Sequence, residues 1–262
     1  MRMDMTKQLT GFWTVIHYTI RKLLLSKRIY ITLLITVFIV AIMAYASTLE
    51  LTEQDIRDEK TKVDIGVDLL DALILFFFMP VMAMIYGSSL VRDEMDDRSI
   101  TAIVTSPMER VITFVGYYIG LAVSVCIIML LILTAGFLSY FGSIGFDGTG
   151  GIYGPFVALM IIGAFSYSAL FIMVSVLFSK PIYFGLFYAF IWETFIGSIP
   201  GRISLLTVKH YVRSIGSEWI VYGDISEYKN ATSVSDSAIV LTVFIIVTFA
   251  IGAFLFRDKE FT

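Results

Sequence analysis

LLDALILFFFMPVMAMIYGSSL, residues 69–90, carries a single charge, Asp71, and is followed after Val91 by RDEMDDRSITAIVTSPMER, residues 92–110. The first stretch is long enough to cross a bilayer, which takes about 20 apolar residues. Inside hydrocarbon only a helix satisfies its own backbone, so the run predicts a helix. Five more apolar runs accompany it, at 29–47, 113–141, 152–178, 182–199 and 237–256. Strands of a membrane barrel would alternate apolar and polar residues, and these runs do not. The reading is an all-α membrane protein of six transmembrane helices, with one polar interruption between the second and the third.

Composition agrees. The chain is 58% hydrophobic and 16% charged, with a mean hydropathy of +0.85. A soluble domain cannot hide that much apolar surface. No polar segment is long enough to be a separate soluble domain on a single-span anchor. The net charge of −3 points to no partner and gives no reason to expect nucleic acid. Cys126 stands alone in mid-run, so a disulfide within the chain is excluded, and it reads as a small apolar residue. A cleaved leader is not expected, because charged residues precede the first run, which is too long for a leader core.

Orientation follows from Lys and Arg, which favour the cytoplasmic side. With the N-terminus inside, 12 of the 19 fall in inner segments and 7 in outer ones. Six spans bring the C-terminus back to the same side, an N-in/C-in topology. The chain then reads as one transmembrane domain, 1–262, with a cytoplasmic tail and elbow at 1–28 and an outer segment at 200–236.

Within 1–28, Phe12, Ile16, Ile20, Leu23 and Leu24 recur at helical spacing, with Arg21, Lys22, Lys27 and Arg28 among them. This predicts an amphipathic helix in the inner headgroup layer, Phe12, Trp13 and Ile16 on its membrane surface and the cations near anionic lipid. A helix packed on a protein surface would show the same pattern. His17 reads as a polar-face residue.

The polar interruption opens with an acid cluster, including Glu94, Asp96 and Asp97. Ser99 can cap a helix there, and acids suit a helix start. Ile100, Ile103 and Val104 then share one face, and Pro107 ends the helix. A charged lead-in with an apolar face suits docking on the cytoplasmic side; a plain solvated loop is the alternative.

At this point the chain resembles the permeases of ABC-2 type exporters. Their segment after the second span has acids, Gly-Thr, an apolar residue, two more apolar residues before a Pro, and an Arg three residues later. Glu94, Asp96, Asp97, Ile100, Ile103, Val104, Pro107, Arg110 and the following Gly116 match that pattern. Arg98-Ser99 stands where Gly-Thr is usual, and Tyr117 where Lys is usual; Ser99 keeps the capping hydroxyl. The region 192–213 also looks like permeases grouped with copper-enzyme maturation systems. The resemblance implies that 92–110 is a coupling helix that transmits motion from an ABC ATPase. It implies, too, a second copy of the permease, a prokaryotic cytoplasmic membrane and a multi-pass chain in the lipid bilayer. No G-x-x-x-x-G-K-[ST] loop occurs in these residues, so the chain is not read as an enzyme. ATP and Mg would sit on the partner subunit, and this chain is expected to hold no cofactor and no metal.

Other residues could carry chemistry. Glu193 is an ionisable group inside an apolar run, where such a group should face protein or a cavity. Arg202, Lys209 and His210 are candidate partners, and the group reads as a gate or as a structural hydrogen bond to an outer helix. Residues 203–212 remain apolar enough for that helix, which could dip back into the membrane. Met79, Met82 and Met84 could ligate soft Cu(I), but no Cys or His adjoins them and filler is the plainer reading. Pro80 should kink or loosen its helix. Intramembrane hydrolysis is improbable: no H-E-x-x-H occurs, and Asp71 has no partner carboxylate at matched depth. Besides an ATP-driven exporter, two readings stay open: a non-transporting anchor or scaffold that recruits a cytoplasmic protein, and a secondary transporter. Few intramembrane charges weigh against the latter.

Overall fold

The structure is a computed structural model that describes residues 5–51, 61–88, 90–91, 109–146, 149–199 and 202–258. Most of these are helical, with no strand among them. Helix α1 is Met5–Leu24, α2 is Arg28–Thr48, α3 is Lys62–Gly87, α4 is Arg110–Ile144 and α5 is Tyr153–Leu177. After it comes α6, residues 181–198, in which an α-helical turn, a π-helix (Phe187–Phe195) and a 3-10 turn follow one another without a break. The chain continues into α7 (Val208–Trp219), the short α8 (Gly223–Ser226) and α9 (Val234–Asp258). Five of these, α2, α3, α4, α5 and α9, are long and apolar enough to cross a membrane.

Three contacts gather one set of helix ends. Arg28 Nη1 at the start of α2 donates to the Ile85 carbonyl near the end of α3 (3.2 Å). Just past α3, the Val91 N–H donates to Ser175 Oγ near the end of α5 (3.0 Å). Arg110 Nη1 at the start of α4 donates to the Arg257 carbonyl near the end of α9 (2.8 Å). Opposite ends meet likewise, where the Tyr140 hydroxyl of α4 donates to the Lys62 carbonyl of α3 (2.8 Å). The helices therefore run up and down, and α6 leads from the Arg28 end, where α5 finishes, towards the Lys62 end, where α7 sits.

Local chemistry explains where the helices differ from the sequence reading. Helix α3 starts seven residues before the apolar run, because Thr61 and Asp64 form a reciprocal capping box: the Asp64 N–H donates to the Thr61 hydroxyl and the Thr61 N–H to the Asp64 carboxylate. Within it, Leu70–Phe78 is π-helical, and the Met79 N–H reaches back to the Ile74 carbonyl. Pro80 cannot donate, and in a regular α-helix its ring would strike the carbonyl four residues back. The wider turn relieves both problems, so the expected kink takes the form of a π segment. The expected helix over 203–212 is split at Thr207, whose backbone is extended and whose hydroxyl caps α7 by accepting from the His210 N–H (3.3 Å).

The methionines are packing. Met79 and Met82 are fully buried. Met79 fills the notch left by Gly163, and Met84 the one left by Gly185. Cys126 is half-buried.

Candidate functional site

The sequence points to two places, one at each end of the bundle. The acid cluster and apolar face of the coupling segment (Glu94, Asp96, Asp97, Ser99, Ile100, Ile103, Val104 and Pro107) lie outside the described residues. Its boundaries are described. Val91 and Arg110 are anchored at the Arg28 end by the bonds to Ser175 and Arg257 given above, so the segment leaves and re-enters the bundle there.

Beside it lies the elbow. Ile16, Thr19 and Leu23 of α1 are buried, whereas Trp13, His17, Arg21 and Lys27 are exposed and Phe12, Lys22 and Arg28 intermediate. The buried face lies on α4, and Gly116 and Gly120, one turn apart, make the groove. A Cβ on Gly116 would stand 2.9 Å from Val15 Cγ1, and one on Gly120 2.7 Å from Thr19 Cβ. Gly116, matched above only as part of the family pattern, is thus the seat of the elbow. The helix packs on this chain's own third apolar run, leaving Trp13 and the cations turned outward.

At the opposite end, residues 202–233 form a cap held by four carboxylates. Three stand on one face of α3, at positions 64, 68 and 71. Asp64 Oδ1 accepts from the Gly223 N–H (2.9 Å), Asp68 from the Asp224 N–H, and Asp71 pairs with Arg213 at 3.2 Å. Asp71 is 3% exposed. Gly223 suits its post: it has φ +70, and a Cβ there would collide with the Asp68 carboxylate.

The fourth is Glu193 of α6, which is fully buried. Its Oε1 accepts from the Tyr188 hydroxyl (2.6 Å) and from the Val208 N–H (3.0 Å), and its Oε2 from the Lys209 N–H (3.1 Å). The Tyr167 hydroxyl of α5 faces the same carboxylate. Val208 and Lys209 open α7, so Glu193 sits on a helix N-terminus, where spare N–H groups and the dipole favour an anion.

The partners expected for Glu193 are placed otherwise. Arg202 is exposed. His210 is buried and ties the cap to itself: Nδ1 faces the Tyr228 hydroxyl (2.9 Å) and Nε2 the Thr232 hydroxyl (3.0 Å). Burial holds its imidazole below the usual pKa. Lys209 approaches through its backbone, while its ammonium lies over the Phe76 ring, 4.8 Å from the centroid.

The sequence reading missed the Asp71–Arg213 pair and the acid face of α3. Asp64 and Asp68 precede the apolar run at 69–90. Their spacing with Asp71, four and three residues, is the signal that one helix face carries all three. Both Asp71 and Glu193 lie within electrostatic reach of Lys209. One is committed to Arg213 and the other to backbone donors, an arrangement suited to holding the cap.

A family model described as ABC-2 family transporter protein matches residues 13–261. The chain belongs to the ABC-2 transporter family. It is a permease, a multi-pass membrane component that carries out no catalysis itself. Members of the family generally pair with an ABC ATPase subunit. No curated protein matches the chain.

Proposed function

We propose that this permease forms the translocation path of an ATP-driven exporter in a prokaryotic cytoplasmic membrane. Two copies would work with two ATPase subunits that carry ATP and Mg, and this chain would hold no cofactor. In this reading α6 is a sixth span, both termini face the cytoplasm, and the Arg28 end is the inner end. Residues 92–110 are the coupling helix, with Glu94, Asp96 and Asp97 meeting the ATPase and Ile100, Ile103 and Val104 docking on it. The cap is the outer gate, held by Glu193.

The observation that supports this most is the pair of anchors, Val91 to Ser175 and Arg110 to Arg257. A push on the segment between them is delivered to α3, α5, α4 and α9 together. That is how a cytoplasmic subunit could move rigid helices around a path.

Co-purification of the tagged permease from its native membrane, followed by ATPase assay of what comes with it, tests the reading. Ile103→Asp is expected to abolish stimulation of the ATPase, because it sets a charge on the docking face. Glu94→Lys is expected to weaken assembly. Normal assembly and stimulation in both variants would refute the coupling role.

A further inference from the structure

Between α7 and α8 the cap carries an open cavity of about 390 Å³ that Lys209, Arg213, Asp224, Glu227 and Lys229 all line. Its two walls differ in sign. Lys209 and Arg213 stand one turn apart on α7, while Asp224 and Glu227 stand on α8 and just beyond it.

The Lys209 ammonium is the informative group. It is half-buried, and among the described residues no carboxylate lies at ion-pair distance from it and no acceptor takes its N–H bonds. It has only the Phe76 ring beneath it. Burial first, and the Arg213 charge second, lower its pKa. Arg213 is unlike it, since Asp71 already neutralises it. On the other wall Glu227 is exposed and likewise has no ion-pair partner among the described residues.

Charge balance decides what would fit. Lys209 and Arg213 face the cavity from α7, Asp224, Glu227 and Lys229 from α8 and the stretch after it, and Asp71 and Glu193 lie close behind. A simple anion would gain from Lys209 and lose to the carboxylates, and a simple cation would meet the reverse. A molecule with an oxyanion at one end and a primary ammonium at the other satisfies both walls. Exposed Phe195, Ile203 and Leu206 on the adjoining stretch of chain offer an apolar flank for anything attached to such a group.

We propose that the cap cavity is a binding site for a zwitterion of the phosphoethanolamine type, its oxyanion on Lys209 and its ammonium on Glu227. The chemistry is shared by a lipid headgroup and by a free phosphoethanolamine ester. The proposal concerns binding alone and stands apart from the exporter reading.

Calorimetric titration of the detergent-purified permease tests it, with glycerophosphoethanolamine against glycerophosphate (anion only) and ethanolamine (cation only). A parallel arm measures the thermal midpoint in nanodiscs of phosphatidylethanolamine or phosphatidylglycerol. The zwitterion is expected to bind at least ~10-fold more tightly than either half, and Lys209→Met and Glu227→Gln are each expected to weaken it ~10-fold or more. Lys209→Arg should retain binding. Lys209 meets Glu193 through its backbone, so Lys209→Met keeps that bond. If only the phosphatidylethanolamine nanodisc stabilises the protein, and both variants remove the effect, the site holds and its ligand is lipid-borne. No effect of either form overturns the proposal, and so does equal affinity for glycerophosphate or unchanged affinity in the two variants.

Discussion

Glu193 shows how a single carboxylate can be affordable deep in an apolar run. Its two oxygens receive a tyrosine hydroxyl and two backbone N–H groups, so its charge is spread over donors fixed by the fold. Removing one partner of such a group strands the others, which costs about 1–3 kcal/mol for each unsatisfied donor. Glu193→Ala is therefore expected to lower the thermal midpoint of the purified permease sharply, by about 3–5 kcal/mol of stability, because Tyr188 and the start of α7 lose their acceptor at once. Glu193→Gln keeps one acceptor oxygen and the side-chain volume but turns a donor on the other, and is expected to cost about 1–3 kcal/mol. A thermal-shift series on both variants decides it. Equal, small losses would mean that Glu193 does not hold α7.

At the scale of elements, the long apolar runs were legible because hydrophobic length alone determines them. The places where they were misjudged have physical reasons. Helix α3 reaches back to Lys62 through a capping box, and its acids look like loop chemistry until their common face is noticed. The pairing of Asp71 with Arg213 joins residues far apart in sequence, and only the folded bundle brings them together. The pattern of the elbow gave an amphipathic helix but not what it would lie on; Gly116 and Gly120 of α4 receive it, by letting two backbones approach. Gly120→Leu is expected to displace α1 from α4, since overpacking a tight contact costs about 1–3 kcal/mol. Limited proteolysis at Lys22 and Lys27 reports it, with faster cleavage than in the parent. Unchanged cleavage would mean that the elbow does not rest in the groove.

The whole molecule is unevenly covered. In α3, 72% of the spanning window is buried, against 17% in α2 and 22% in α9. The bare faces of α2 and α9 carry Leu34, Val37, Val243 and Ile246, which bilayer or a second copy would have to cover. The polar ends are just as uneven. The cap end carries Arg202, Lys209, Arg213 and Lys229 beside its carboxylates and His210, whereas the other end gathers Arg21, Lys22, Lys27, Arg28, Arg110, Lys180 and Arg257. Charge bias would put the basic end inside. For that to hold, α6 must cross the bilayer, although Glu193 and the π-helical stretch interrupt its regularity. Single cysteines in a Cys126→Ser background test the crossing directly. A cysteine at Lys229 of the cap is expected to react with an impermeant maleimide added to intact cells. Cysteines at Lys27 and Lys180, which precede α2 and α6, are expected to react only after the membrane is opened. If Lys180 and Lys229 labelled together from one side, α6 would be a re-entrant helix, and the cap and the basic end would no longer be assigned to opposite faces of the membrane.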